Sequence, residues 1–164
     1  MTLDEKWQDY FNEKFPKALE LVKQDAENGK VKAITVQTLL NKSIEEIWEK
    51  YTSPEHIVNW NFASDDWHCP KAVNDLKIGK QFSYTMAAKD GSMEFDLIGT
   101  YTDIVPFKEL GFYLEDKRKV HTEFISFNDK ILILCSFEPE STNSIYLQRD
   151  GWQSILNNFK KYCL

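Results

Sequence analysis

Four residues able to bind a metal or carry a proton, Asp65, Asp66, His68 and Cys69, fall within five positions of one another. A zinc site needs three or four ligands converging tetrahedrally. Consecutive loop residues rarely converge, and no second ligand pair stands at a metal-site spacing. A capping role for Asp65 or Asp66 beside a buried Cys69 accounts for the same letters. Cys69 as a nucleophile would need a base, and its neighbour His68 points elsewhere on an extended chain. His56 sits at the start of a short helix, after Ser53-Pro54-Glu55, where it lends a ring to the edge of a cleft. His121 alternates with Val120 and Thr122 on a strand, with Glu123 on its own face. That pair has the makings of acid–base chemistry, but charged neighbours on one strand face also describe the solvated side of a sheet. His56, Asp66 and His121 are therefore the polar candidates. There is no Gly-x-Ser-x-Gly, P-loop or Gly-x-Gly-x-x-Gly. The three cysteines, Cys69, Cys135 and Cys163, make neither a disulfide framework nor a zinc signature. The sequence gives no grounds for a metal, a cofactor or a catalytic set.

What remains is apolar chemistry. The chain holds 11 Phe, 7 Tyr and 5 Trp, more than a core needs to be built from aliphatic residues alone. Most of these rings must be core. Trp60, Trp67, Tyr84, Tyr101 and Trp152 are the ones expected to line a cavity for a small hydrophobic or aromatic molecule. They are large, mostly carry a polar handle, and sit near the 61–70 loop, in mid-sheet or on the closing helix.

The elements that would position these rings follow from periodicity. Trp152, Ile155, Leu156, Phe159 and Cys163 repeat at helical spacing, and Ile145 extends the stripe by a heptad. Gln148, Arg149, Gln153, Asn157, Lys160 and Lys161 are assigned to its wet face. Thr142, Asn143 and Ser144 offer cap oxygens. Gly151 lies mid-helix, where glycine costs about 1 kcal/mol against alanine, which suggests close approach to sheet, ligand or partner. Ahead of this helix, residues 33–40 alternate as a first strand. Ser43 with Glu46 opens a helix through Tyr51, and Pro54 restarts a short one. Residues 61–70 lose periodicity and read as a loop. Strands are expected at about 71–76, from Phe82, from Phe95 to Val105, and over 109–114, 120–127 and 130–137. Asp90-Gly91 and Asn128-Asp129 serve as hairpin turns. Seven antiparallel strands twist and curl, and one long helix along the concave side leaves a crevice suited to a small molecule.

Residues 1–30 differ from the rest. Trp7, Tyr10, Phe11 and Phe15 share a helical face, Pro16 starts a second stretch, and Asn28-Gly29 ends it. This arm either packs on its own domain or grips a second copy as a homodimer; residues 31–164 form the main domain. A net charge of −6 with no basic run disfavours nucleic acid or an anionic membrane surface. The lack of a signal peptide and of an apolar run near 18 residues predicts a cytoplasmic protein without a membrane span.

The run Trp48-Glu-Lys-Tyr-Thr-Ser-Pro-Glu-His56, then Trp60 and Asp75-Leu-Lys-Ile-Gly-Lys-Gln-Phe82, resembles homologues of the heat-shock-protein-90 ATPase activator. Asp90-Gly91, Gly99-Thr-Tyr101 and the closing Gly151-Trp152…Leu156…Phe159 follow in the family's order. The likeness spans about residues 32–163. It implies the START-like (SRPBCC, helix-grip) α+β fold, a curved antiparallel sheet wrapped around a long C-terminal helix with an apolar cavity between them. Many relatives carry Trp-Trp-Gly-Pro where this chain has Trp60-Asn-Phe-Ala63, and residues 61–70 are similar to one bacterial branch. The eukaryotic activator has a further N-terminal domain that has no counterpart here. Three roles are compatible with these residues: non-catalytic binding of a small hydrophobic ligand, a co-chaperone-like protein interaction, and a cyclase or hydrolase using two of His56, Asp66 and His121.

Overall fold

Alternation of buried and exposed side chains governs the chain from its first described strand onward. The computed structural model describes residues 32–164, so the arm at 1–30, and with it the homodimer expectation, lies outside the described residues. The order is β1 (Ile34–Leu40), α1 (Ile44–Thr52), α2 (Pro54–Ile57), β2 (Trp67–Asn74), β3 (Gln81–Ala88), β4 (Glu94–Val105), β5 (Glu109–Leu114), β6 (Lys119–Phe127), β7 (Lys130–Phe137) and α3 (Ile145–Cys163). All seven strands join one antiparallel sheet in the order β1-β7-β6-β5-β4-β3-β2. The meander β2 to β7 follows chain order, and β1 closes onto β7, with α1 and α2 carrying the chain back across.

Local chemistry sets the boundaries. The Ser43 hydroxyl accepts from the Glu46 amide at 3.2 Å, half of the expected capping box; the Glu46 carboxylate turns to Lys50 at 2.7 Å instead. Ser53 ends α1, and Pro54 begins α2 where its missing N–H is harmless. The β6–β7 turn holds both Asn128 and Asp129 at positive φ, 45° and 63°, which these two residue types tolerate better than most.

The expected loop at 61–70 is shorter than its composition suggests, because β2 begins at Trp67. Pro70 does not stop the strand. β2 is an edge strand, and the register slips between His68 and Lys71, so the ladder asks no N–H of Pro70.

The concave face carries the core. Phe82 is 2% exposed and its ring lies over Gly99, the residue opposite it on β4. A Cβ at position 99 would come within 2.3 Å of that ring. Gly99→Ala is therefore expected to lower stability by about 1–3 kcal/mol, the usual range for overpacking. An unchanged denaturant midpoint would mean that the ring yields freely.

α3 lies against this face. Ser144 caps it, its hydroxyl accepting from the Leu147 amide at 3.1 Å. Leu156, Phe159 and Cys163 are buried as the stripe requires. The wet face is narrower than residue type implied. Gln148 is buried: its side chain accepts from the Glu140 amide and donates to the Glu140 and Asn143 carbonyls, tying the β7–α3 connection to the helix. Gln153 bonds both the N–H and the C=O of Gln37. Those groups belong to edge strand β1, so a helix side chain occupies backbone positions that would otherwise invite another strand.

Candidate functional site

A cavity of about 350 Å³ separates α3 from the concave sheet. The strand alternation that buries Val120, Thr122 and Phe124 also turns Phe82, Tyr84, Met86, Leu97 and Tyr101 towards it. Trp60 and Asn61 close one side from the α2–β2 connection, and Gly151, Trp152 and Ile155 form the helix wall. Phe95 and Leu147 line it while being 46% and 61% exposed, which marks their end as the mouth.

Of the five rings singled out from the sequence, Trp60, Tyr84, Tyr101 and Trp152 border this space. Trp60 is fixed by its indole N–H on the Lys50 carbonyl at 3.0 Å, by stacking on Tyr51 and by an edge contact with Phe159. Trp152 is only half-buried and stacks on Phe137, centroids 4.1 Å apart. Trp67 stands apart from the lining. Because β2 starts there, Trp67 is a ladder residue opposite Ala88, and its ring packs on Phe95 near the mouth.

The buried tyrosines and Asn74 form a neutral polar set. The Tyr101 hydroxyl donates to Asn74 Oδ1 at 2.8 Å, and Asn74 Nδ2 donates to the Thr52 carbonyl. Burial pushes the Tyr101 phenol up to about 12 and holds Tyr84 and Tyr51 well above the ordinary tyrosine value. Burial likewise lifts the Cys135 thiol to about 11. Among the described residues no Asp, Glu, Lys or His borders the cavity, and the one charged side chain that does, Arg118, already bonds Asp116 at 2.6 Å and the Glu138 carbonyl at 3.2 Å.

The three polar candidates do not meet. His56 Nδ1 lies 2.6 Å from the Tyr162 hydroxyl and ties α2 to α3. Asp66 accepts from the Ser64 hydroxyl on an exposed loop. His121 sits on the convex face, since Val120 and Thr122 beside it face the cavity. Among the described residues no group of three or more His, Cys, Asp or Glu could hold a metal ion. Cys69 is buried, and burial raises its thiol, so it is no ready thiolate.

His121 gives a pH prediction. Its Nε2 is 3.4 Å from Glu123 and 3.6 Å from Glu109. The hydrogen bond to Glu123 raises its pKa above 6.5; burial opposes this, and the charges of Glu123, Glu109 and Asp103 add to the rise. A folded value above the unfolded one gives stability that is full below the unfolded pKa and is lost as pH rises through the folded pKa. NMR titration is expected to place His121 above its free-imidazole value and Glu123→Gln to lower it. A midpoint unmoved by Glu123→Gln would refute the pairing. The ring is 42% exposed, so solvent screening keeps the stability effect small.

Asn61, Thr122, Arg118 and Gln148 were not singled out from the sequence. Thr122 was readable there: it shares a strand face with Val120 and Phe124. Asn61 and Arg118 sit in or beside irregular chain, where no period assigns a face; Gln148 lies within α3, four residues before Trp152 on the buried stripe, and only its polar type assigns it to the wet face.

No curated protein matches the sequence. Among solved structures, the AHSA1-like protein from Aeromonas hydrophila is 37% identical, with a TM-score of 0.75 over 79% of this chain and 90% of its own. A protein from Cytophaga hutchinsonii is 46% identical, with a TM-score of 0.70 over the same shares, 79% and 90%. A protein from Nitrosomonas europaea shares the fold at 14% identity, with a TM-score of 0.68 over 80% of this chain and 93% of its own. The family described as Activator of Hsp90 ATPase homolog 1-like protein matches residues 41–163, which run from the approach to α1 to the last turn of α3. A half-barrel sheet gripping a terminal helix, with close relatives of the same shape and a family match over most of its length, places this chain in the Activator of Hsp90 ATPase homolog 1-like family.

Proposed function

We propose that this protein binds a small apolar or aromatic molecule between the sheet and α3 without chemically converting it. The observation that carries this reading is the cavity itself: about 350 Å³, aromatic-walled, with an exposed mouth and with hydroxyls that burial keeps protonated. Ligand pockets are commonly about 300–1,000 Å³ and mostly apolar with a few placed polar groups. A plain core at native packing density leaves no such space. Native mass spectrometry and thermal-shift panels of lipids and aromatic compounds test it. A retained or added ligand that raises the melting point supports the proposal, and a full panel without one such hit overturns it.

Family membership supports a second reading, a co-chaperone-like contact with an Hsp90-type ATPase. It would act through the protein's surface, so it does not need the cavity. Stimulated ATP turnover and a complex on sizing chromatography are its expected signs, and the absence of both removes it.

A further inference from the structure

The cavity wall contains a chain of hydrogen bonds whose direction is fixed. It ends on the Thr52 carbonyl, which can only accept. Asn74 Nδ2 donates to that carbonyl at 2.6 Å, so Asn74 presents its oxygen to the other side. The Tyr101 hydroxyl donates to this oxygen at 2.8 Å. Its proton is then spent, and the Tyr101 oxygen can only accept. The Tyr84 hydroxyl bonds Tyr101 in turn and supplies the proton; losing it would break the bond, which adds to the rise that burial gives the Tyr84 phenol. The relay therefore runs from Tyr84 through Tyr101 and Asn74 to Thr52, and the oxygen at its open end, on Tyr84, has lone pairs and no proton to give. Tyr101 is 3% exposed, whereas Tyr84, in mid-sheet on the same face, keeps part of its surface open to the cavity that it borders.

The other polar groups on the wall set no such preference. The Tyr51 and Thr122 hydroxyls bond each other, with the Cys135 thiol beside Thr122, and either hydroxyl of that pair can give or take. The Asn61 amide is turned to Cys69. The Thr52 hydroxyl donates to the Trp48 carbonyl, Asn143 and Gln148 are tied to Glu140, and Arg118 is held by Asp116 and the Glu138 carbonyl.

We infer that the ligand is a neutral molecule with an apolar body and one hydroxyl, a phenol or an alcohol, whose O–H donates to the Tyr84 oxygen. This rests on the ligand-binding reading above and deepens it. A ketone or ether oxygen at the same place would set lone pairs against lone pairs and lose its water without compensation. A hydroxyl exchanges its bond to water for one to Tyr84 and extends the relay by one member.

Three probes with one ring system separate the possibilities: naphthalene, naphthol, which donates, and methoxynaphthalene, which only accepts. Trp60 and Trp152 border the cavity, so quenching of tryptophan fluorescence in the full chain reads binding. Naphthol is expected to bind about 3- to 10-fold tighter than either of the others, the worth of one neutral hydrogen bond. Tyr84→Phe should erase that advantage and leave naphthalene as before. Tyr101→Phe removes the acceptor that holds the Tyr84 proton. It should turn that proton to the cavity and raise methoxynaphthalene above naphthalene by a similar factor, a reversal that a merely apolar pocket would not show. The three-probe comparison in the unaltered protein stands even if a variant does not fold. Equal binding of naphthol and naphthalene, or methoxynaphthalene binding tightest, overturns the inference and leaves the cavity reading standing. So does a naphthol advantage that survives Tyr84→Phe, or methoxynaphthalene unmoved by Tyr101→Phe. If none of the three binds, the cavity reading itself falls.

Discussion

Phe159→Ala is expected to cost about 3–5 kcal/mol of stability, the range for a large aromatic removed from a core. Phe159 is 0% exposed and lies where α3 crosses α1 and the α2–β2 connection. Its ring meets Tyr51 edge-on at 5.2 Å and Trp60 edge-on at 4.8 Å. Tyr51 in turn stacks on Trp60 and meets Phe124 of the sheet edge-on, so one ring joins helix, connection and sheet. Removing it leaves a hole bounded by aromatic rings that are fixed from other sides and cannot collapse. Trp60 is held by its bond to the Lys50 carbonyl. Trp152→Ala should cost less. That ring has the larger volume, but it is half-buried and already borders open space, so truncation enlarges a cavity that exists. Denaturant melts of both variants give the comparison. A Phe159→Ala loss under about 1 kcal/mol, the scale of surface substitutions, would show that the helix does not grip the core through this residue.

The grip was legible in the sequence because both of its halves are periodic. Leu156, Phe159 and Cys163 could fall on one side of a helix only, and Val120, Thr122 and Phe124 on one side of a strand only. The same alternation sent His121 to the convex face and so separated it from any cavity. Where the sequence misled, the error came from judging a residue by its type. Pro70 signals a strand end in mid-sheet, but an edge strand with a register slip accommodates it, and Trp67 thereby moved from lining to rim. Gln148 and Gln153 signal a wet helix face, but each bonds backbone that its own helix does not supply: the β7–α3 connection for Gln148, and an edge strand 116 residues away for Gln153. Such partners lie beyond the reach of any local period. Asn61 was unreadable for the same reason. It lies in the irregular α2–β2 connection, and the space it borders exists only in the folded chain.

Gly151 draws the fold and the proposed function into one test. Helical glycine costs about 1 kcal/mol against alanine or leucine, and at this position nothing in the packing demands it. A Cβ there would meet no atom within 4 Å. Position 151 shares its helix face with Gln148, Trp152 and Ile155, all of which border the cavity, so the open space is the cavity. Of the three explanations that the sequence left for this glycine, close contact with the sheet is excluded by that clearance. Gly151→Ala should then raise stability by about 0.5–1 kcal/mol. Gly151→Leu should keep that gain while placing four carbons in the space that the helix wall borders. If ligands enter there, the variant should lose at least about tenfold in affinity for any compound that binds the unaltered protein, equivalent to ~1.4 kcal/mol. Melts and titrations on the same preparation separate the outcomes. A variant that is more stable and blind to ligand is the expected result, because a residue that costs stability and only keeps space open makes sense for a protein that uses the space. Unchanged affinity in a stable Gly151→Leu protein would move the binding site elsewhere, and a destabilised one would show that the helix wall is closer to the sheet than its present clearance.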